Sequence, residues 1–336
     1  MGKRVAIFLH GQKGDIMEAS SVLKYKDELW GEDCEITWFI QDENRDIFKH
    51  NPYLKLAHFP HGYGIPESDM NTIYAERIAK DKADGKPEWF DLSQVKTHDN
   101  KLDITKKHLY EPIIGVFDVG YYPAPHQVPS ENREGLEYSL VSKQVFSVPN
   151  DYEWHPVLFW DEEERNAIKS FASTWKQNKK TILLETFAGS GQCVFYSAET
   201  TKEIMRVCRD VFNDEVTFIF GSHKHVGGEN NIGILNSDLF DRNDRSCISA
   251  GYLSIRQTAL INDYVDLIIG ISSGVSVATS AFGLKPTPKI QWCGSRICST
   301  KAIANGEFHL VEAEFKTKEN ATKEFFSKLE EVLLTI

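Results

Sequence analysis

An aspartate follows the first apolar run of the chain, at a place where it could accept a proton. Residues 10 to 16 read HGQKGDI, and Asp15 comes after Gly14 where a helical apolar pattern begins. The loop after a strand is where open α/β sheets place functional groups, so a carboxylate there could act as a general base. A helix cap explains the same position, because aspartate accepts hydrogen bonds from free backbone N–H groups. The pattern alone leaves both interpretations open.

A second candidate is the turn GISSGVSVATSAFGLKP, residues 270 to 286, where an apolar strand runs into a helix of small residues. Ser272, Ser273 and Gly274 would bring two hydroxyls and backbone N–H groups to the helix N-terminus, a geometry that fits a phosphate. A tightly packed turn accounts for the glycine and the alanines, but less easily for the paired serines. We therefore interpret this turn as a phosphate site.

A third candidate is FAGSGQ, residues 187 to 192, which follows the first strand of the second half. Its N–H groups near Ser190, Gly191 and Gln192 could form an anion cradle. The segment lacks the Gly-Lys-Ser/Thr of a P-loop and the third glycine of a dinucleotide loop. A tight turn explains it equally well.

A fourth candidate is GSHKHVGGEN, which begins at residue 221 beyond the next strand. His223 and His225 have no evident third ligand nearby, so we predict neither a metal nor a cofactor. His223 and His225, with Ser222 before them, are placed to contact a nucleotide, and Glu229 to bind a ribose hydroxyl. Solvent-exposed loop histidines are the plainer interpretation.

The elements that must position these residues alternate between strands and helices. In the first half, strand 3–10, helix 15–30 and strand 34–40 form a βαβ unit, and further strands are predicted at 111–119 and 139–148. The second half reads as a doubly wound domain. Its predicted strands are 181–188, 216–222, 265–273 and 288–294, and its predicted helices are 198–212, 255–264 and 274–283.

The sequence PNDYEWHP marks a change of character, and we place the domain boundary there, which gives domains 1–155 and 156–336. Two domains also suit a length of 336 residues. The amphipathic helix at the end of the chain could pack back across the domain junction.

Composition limits the class of partner. The formal net charge of -11 excludes a general nucleic-acid binder, because binding to the phosphate backbone needs clustered Lys and Arg. No apolar run is long enough for a transmembrane helix or a signal peptide, so we expect a cytoplasmic protein. The six cysteines include no CxxC pair, which suits free thiols in a reducing compartment.

Two segments resemble the bacterial heptosyltransferases and related glycosyltransferases. They are GDIMEASSVLKYKDELW with the following EITWFI, and SIRQTALINDYVDLIIGISSGVSVATSAFGLKP. The resemblance implies a GT-B fold of two facing Rossmann-like, doubly wound α/β domains. It also implies that Asp15 is the general base and that Ser272, Ser273 and Gly274 hold the diphosphate and sugar of the donor.

The chain also departs from that family. Ser272 stands where the family has aspartate, and Val277 stands where it has histidine. The family's lysine after the first strand of the second domain has no counterpart, and Gln192 is the nearest long polar residue. Neutralisation of the phosphates must therefore come from backbone dipoles or from another part of the chain.

We therefore expect an inverting, metal-independent glycosyltransferase of polysaccharide biosynthesis. The N-terminal domain would bind a glycan or lipid-linked glycan acceptor, with possible peripheral membrane contact, and the C-terminal domain would bind the nucleotide-sugar donor. Two alternatives stay open. One is a nucleotide-sugar epimerase of the same fold, and the other is a catalytically inactive protein that binds nucleotide sugars or glycans.

Overall fold

The chain divides into two compact units in the computed structural model. The first unit comprises Met1–Ser130 and Leu140–Tyr152, and the second comprises Glu131–Ser139 and Glu153–Ile336. The structure describes residues 2–9, 12–58, 118–121, 123, 138–175, 179–186, 198–221, 244–294, 305–313 and 316–336.

The first unit contains a four-stranded sheet whose described strand pairs are all parallel, in the order β3-β2-β1-β4. The strands are β1 Arg4–Phe8, β2 Glu35–Ile40, β3 Leu54–His58 and β4 Val119–Tyr121. Between β1 and β2 the chain is helical, with α1 Lys13–Ala19, a 3₁₀ turn Ser20–Tyr25 and α2 Lys26–Trp30. A second 3₁₀ helix spans Asp42–Phe48. The predicted βαβ start is therefore confirmed.

The prediction of a strand at residues 139–148 is wrong, because the chain forms helix α3, Tyr138–Phe146. Ser139, Ser142 and Phe146 are buried at helical spacing. Ser142 Oγ donates a 2.8 Å hydrogen bond to a carboxylate oxygen of the buried Glu18. Two of the inward positions are thus serines, which hid the helical period from an analysis of apolar residues.

The second unit contains a six-stranded parallel sheet in the order β10-β9-β8-β5-β6-β7. Its strands are β5 Lys180–Glu185, β6 Val216–Phe220, β7 Cys247–Ser249, β8 Leu267–Ile271, β9 Lys289–Cys293 and β10 Phe308–Glu312. Its helices are α4 Glu162–Ser173, α5 Ala198–Val211, α6 Ile255–Ile261, α7 Gly274–Ala278 and α8 Lys318–Leu333. The predicted doubly wound domain is confirmed, although α7 stops earlier than the predicted helix 274–283.

The main core of the second unit lies on one face of this sheet. Apolar side chains that alternate along β5, β6, β8 and β9 are buried there with α5 and α8. Trp292 of β9 contacts Phe325 of α8, with 5.6 Å between ring centroids. The C-terminal helix therefore packs on the sheet of its own unit. Within the described residues, no helix combines the length and the apolar character that crossing a bilayer requires.

Strands β5 and β8 approach each other closely near their carboxyl ends. Gly270 pairs with Glu185, and a Cβ added at Gly270 would lie 2.0 Å from the Glu185 carbonyl oxygen. Only glycine fits such a contact. This residue therefore fixes the spacing of β5 and β8 just before the turn at 272–274.

Candidate active site

The strand order reverses at one place in each sheet. In the first unit β2 and β3 lie to one side of β1 and β4 lies to the other, while in the second unit β6 and β7 lie to one side of β5 and β8 lies to the other. Ligands of open α/β sheets bind outside the carboxyl ends of the strands at such a switch point. Asp15 follows β1, and the turn Ser272–Gly274 follows β8. Each candidate therefore stands where its own sheet favours binding.

Asp15 is the third residue of α1, and Gln12 is the N-cap of that helix. The backbone N–H of Gln12 donates a 3.2 Å hydrogen bond to Asp15 Oδ2. Asp15 Oδ1 has no hydrogen bond to the described part of the chain. The carboxylate thus caps its helix with one oxygen and keeps a second oxygen for another partner.

Burial raises the pKa of Asp15 to about 6, against the lowering effect of the Gln12 N–H. With this pKa, about nine tenths of the carboxyl groups are ionised at neutral pH, while the carboxylate remains a stronger base than an ordinary aspartate. The neighbouring cation does not neutralise it, because Lys13 Nζ pairs with Asp46 at 3.0 Å. The group is therefore suited to take a proton near neutral pH.

The turn after β8 is held by a reciprocal pair of serines. Ser273 is the N-cap of α7, and its Oγ accepts the Ser276 N–H at 3.3 Å. In return, the Ser273 N–H donates to Ser276 Oγ at 2.9 Å. The preceding Ser272 is buried, and its N–H bonds to the Trp292 carbonyl at 2.9 Å, which ties the turn to β9.

Three hydrogen-bond donors of this turn could bind an anion. The first N–H groups of a helix have no intrahelical acceptor, and those of Gly274 and Val275 form no hydrogen bond with the described residues. The Ser273 hydroxyl accepts one bond and can donate its own proton. The turn can therefore offer two N–H groups and one O–H to phosphate oxygens.

The predicted site residues divide into three groups. Gly14 and Asp15 are adjacent in α1 of the first unit, and Ser272, Ser273 and Gly274 share one turn of the second unit. The others lie outside the described residues, and their roles stay predictions: Ser190, Gly191, Gln192, Ser222, His223 and Glu229.

Two residues behind the serine turn were not predicted from the sequence. Ser276 looked like one small residue of an apolar helix, although it completes the cap of Ser273. Lys289 begins β9 and is 1% exposed. The sequence contains one indication that Lys289 is unusual, because a charged side chain is unexpected at the start of the strand KIQWC.

The sequence matches no protein-family model and no curated protein. Solved structures do match it. A glycosyl transferase family 9 protein from Veillonella parvula DSM 2008 has 13% identity and a TM-score of 0.64, with 99% of this chain and 98% of that chain covered. The chain has the GT-B fold.

Two structures from E. coli share this fold. ADP-heptose LPS heptosyltransferase II has 12% identity and a TM-score of 0.54, with 98% of this chain and 99% of that chain covered. Heptosyltransferase WaaC with ADP has 13% identity and a TM-score of 0.54, with 97% and 99% covered. At such low sequence identities the similarity establishes the fold only. The GT-B fold predicted from the sequence is confirmed.

Proposed function

We propose that this chain is an inverting, metal-independent glycosyltransferase that moves a sugar from a nucleotide-sugar donor to a glycan or lipid-linked glycan acceptor. One observation carries the proposal. Asp15 stands at the switch point of its sheet with one carboxylate oxygen uncommitted among the described residues and with a pKa raised to about 6. A carboxylate in this state suits the removal of a proton from a sugar hydroxyl.

The reaction would proceed in one displacement. The acceptor oxygen attacks the anomeric carbon, its proton passes to Asp15, and the bond from that carbon to the diphosphate oxygen breaks. Attack from the face opposite the leaving group inverts the configuration. General-base action of this kind contributes about 10² to 10⁴ in rate.

The serine turn would hold the donor. As the bond breaks, negative charge develops on the diphosphate, and the N–H groups of Gly274 and Val275 with the Ser273 hydroxyl would stabilise it. These donors supply positive potential without a metal ion. In this scheme residues 1–155 bind the acceptor and residues 156–336 bind the nucleotide sugar.

The choice of donor is tested first. One structure with the same fold contains ADP, so ADP-sugars head a thermal-shift screen that also includes UDP-, GDP- and CMP-sugars. We expect one nucleotide class to raise the melting temperature at concentrations where the others do not. The same screen with and without EDTA tests metal independence, and loss of binding in EDTA would contradict it.

The base is tested with Asp15→Asn in the presence of the selected donor. We expect turnover to fall by about 10² to 10⁴ while donor binding is retained. Asp33→Asn, an exposed aspartate of the same unit, is the matched control and should leave turnover unchanged. Full activity of Asp15→Asn would remove this residue from the mechanism.

Two other results would replace the proposal. Conversion of the donor sugar to its epimer without any acceptor would identify an epimerase. Donor binding with no transfer to any glycan or lipid-linked glycan would identify a binding protein.

A further inference from the structure

Lys289 is a buried amine in the second unit that the proposed reaction does not use. It is the first residue of β9 and is 1% exposed. Its Nζ donates a hydrogen bond of 2.5 Å to Oγ of Ser280, which is fully buried. It forms no ion pair within the described residues. Since an amine is costly to bury, its contact with Ser280, the one polar contact that it makes in the described part of the chain, indicates where it acts.

Ser280 links Lys289 to the helix α7 through a further hydrogen bond. A hydroxyl that accepts a bond from an amine must direct its own proton elsewhere. Ser280 Oγ donates to the Ser276 carbonyl at 3.2 Å, and Thr279 Oγ1 donates to the same carbonyl at 3.0 Å. The Ser280 N–H does not bond to the Ser276 carbonyl, as it would in a continuing α-helix, because it bonds to the Val277 carbonyl at 3.0 Å. Hydroxyls therefore satisfy the Ser276 carbonyl where the helix ends.

Ser276 connects these contacts to the serine turn. Its Oγ accepts the Ser273 N–H and donates to the Ser273 carbonyl at 2.7 Å, and its N–H bonds to Ser273 Oγ. A continuous series of hydrogen bonds thus runs from Lys289 through Ser280 and Ser276 to Ser273. Each member of the series is buried or half-buried.

We propose that Lys289 is a positioning residue that acts through Ser280 and Ser276 to fix the orientation of the Ser273–Gly274 turn for the diphosphate of the donor. This inference rests on the proposed function. Burial lowers the pKa of Lys289 to about 7. Both the ammonium and the neutral amine carry an N–H for Ser280, so the contact does not depend on one protonation state.

The test removes, in separate variants, the two partners of the hydrogen bond between Lys289 and Ser280. Lys289→Met keeps the length of the side chain without the N–H, and Ser280→Ala removes the acceptor. We expect each variant to raise the dissociation constant and the KM for the donor by up to about tenfold, the limit reached if the whole contribution of one buried hydrogen bond is lost from donor binding. The kcat at saturating donor and the KM for the acceptor should change by less than about twofold.

The double variant separates a shared pathway from two independent effects. If Lys289 acts through Ser280, the double variant should bind the donor about as weakly as the weaker single variant. Lys180→Met is the matched control, because Lys180 also begins a strand of this sheet and its Nζ donates to the carbonyl of the C-terminal Ile336 at 2.7 Å. It should leave donor affinity unchanged.

A readout without ligand keeps this inference distinct from the proposed function. Amide hydrogen exchange of a peptide covering residues 272–282 should be faster in Lys289→Met and Ser280→Ala than in wild type and Lys180→Met. Unchanged exchange in both variants, or donor affinity equal to wild type, would overturn the inference. If Lys289→Met does not fold, the results for Ser280→Ala decide the test. If exchange is faster in the variants than in wild type but wild type binds no nucleotide sugar, the proposed function fails and the role for a donor fails with it.

Discussion

The backbone N–H of Gln12 donates a hydrogen bond of 3.2 Å to Oδ2 of Asp15. This bond favours the ionised carboxylate, whereas burial disfavours it, and the pKa of about 6 shows that burial has the larger effect. The two interpretations that the sequence left open therefore do not exclude each other. Asp15 caps its helix through one oxygen, and in the proposed reaction the other oxygen would take the proton of the acceptor hydroxyl.

The pH profile of turnover should report the state of Asp15. Because a base must be ionised, we expect kcat/KM to be half-maximal near pH 6 and to fall about tenfold for each unit below it. Initial rates under subsaturating donor and acceptor measure this limb. An acidic limb near pH 4, the range of an ordinary aspartate, would contradict the role of burial.

The stability of Asp15→Asn should depend on pH with a defined sign. The folded-state pKa is raised from 3.8 to about 6. The stability that this raised pKa provides is therefore complete below 3.8 and is lost as the pH rises through 6. We expect the variant to exceed wild type by about 1 to 3 kcal/mol in unfolding free energy at about pH 8. The difference should shrink toward about pH 4. Urea unfolding measures it, and a variant that is less stable at both pH values would show that the cap outweighs burial.

Ser273→Ala should cost both stability and donor affinity. Loss of an N-cap costs about 1 kcal/mol. Loss of the hydroxyl also removes one proposed hydrogen bond to the diphosphate of the nucleotide sugar. Thr317→Ala is the matched control, because Thr317 caps α8 with a bond of the same length, 3.3 Å. Both variants should lose similar stability in thermal unfolding, and only Ser273→Ala should weaken donor binding. Equal donor affinity in the two variants would remove Ser273 from the site.

Gly270→Ala should be among the most destabilising substitutions of the second unit. Its Cβ would lie 2.0 Å from the Glu185 carbonyl oxygen, which forces β5 and β8 apart. We expect a loss of more than about 3 kcal/mol. Gly283→Ala is the comparison, because nothing lies within 4 Å of its added Cβ while its φ is +80°. That strain alone should cost about 1 to 2 kcal/mol in urea unfolding, and similar losses in both variants would contradict the steric argument.

The central strands could be predicted from the sequence, and the edge strands could not. The runs that form β6 and β8 are nearly continuous in apolar residues, and β5 and β9 also contain buried apolar residues, because helices cover both faces of a parallel sheet. The strands that the pattern did not reveal, β3, β7 and β10, are all edge strands. They are partly exposed and contain polar residues, which protects a sheet edge but weakens the hydrophobic pattern.

The candidate site was predictable where a strand end meets a turn residue. Asp15 and Ser273 could be selected because the carboxyl ends of parallel strands carry function. Lys289 and Ser276 could not, since their roles depend on hydrogen bonds between residues whose proximity only the fold creates. The same applies to Ser142, whose burial follows from its contact with Glu18.

The parallel pairing of every described strand has a consequence for how this protein can diversify. The carboxyl ends of the described strands lie at one edge of each sheet, whereas the apolar side chains that hold the sheets point sideways into the helices. Substitutions and insertions after the strands can alter what such a site binds without disturbing the interior. The scaffold can thus keep its shape while its sequence diverges, as the 12 to 13% identity at TM-scores of 0.54 to 0.64 illustrates.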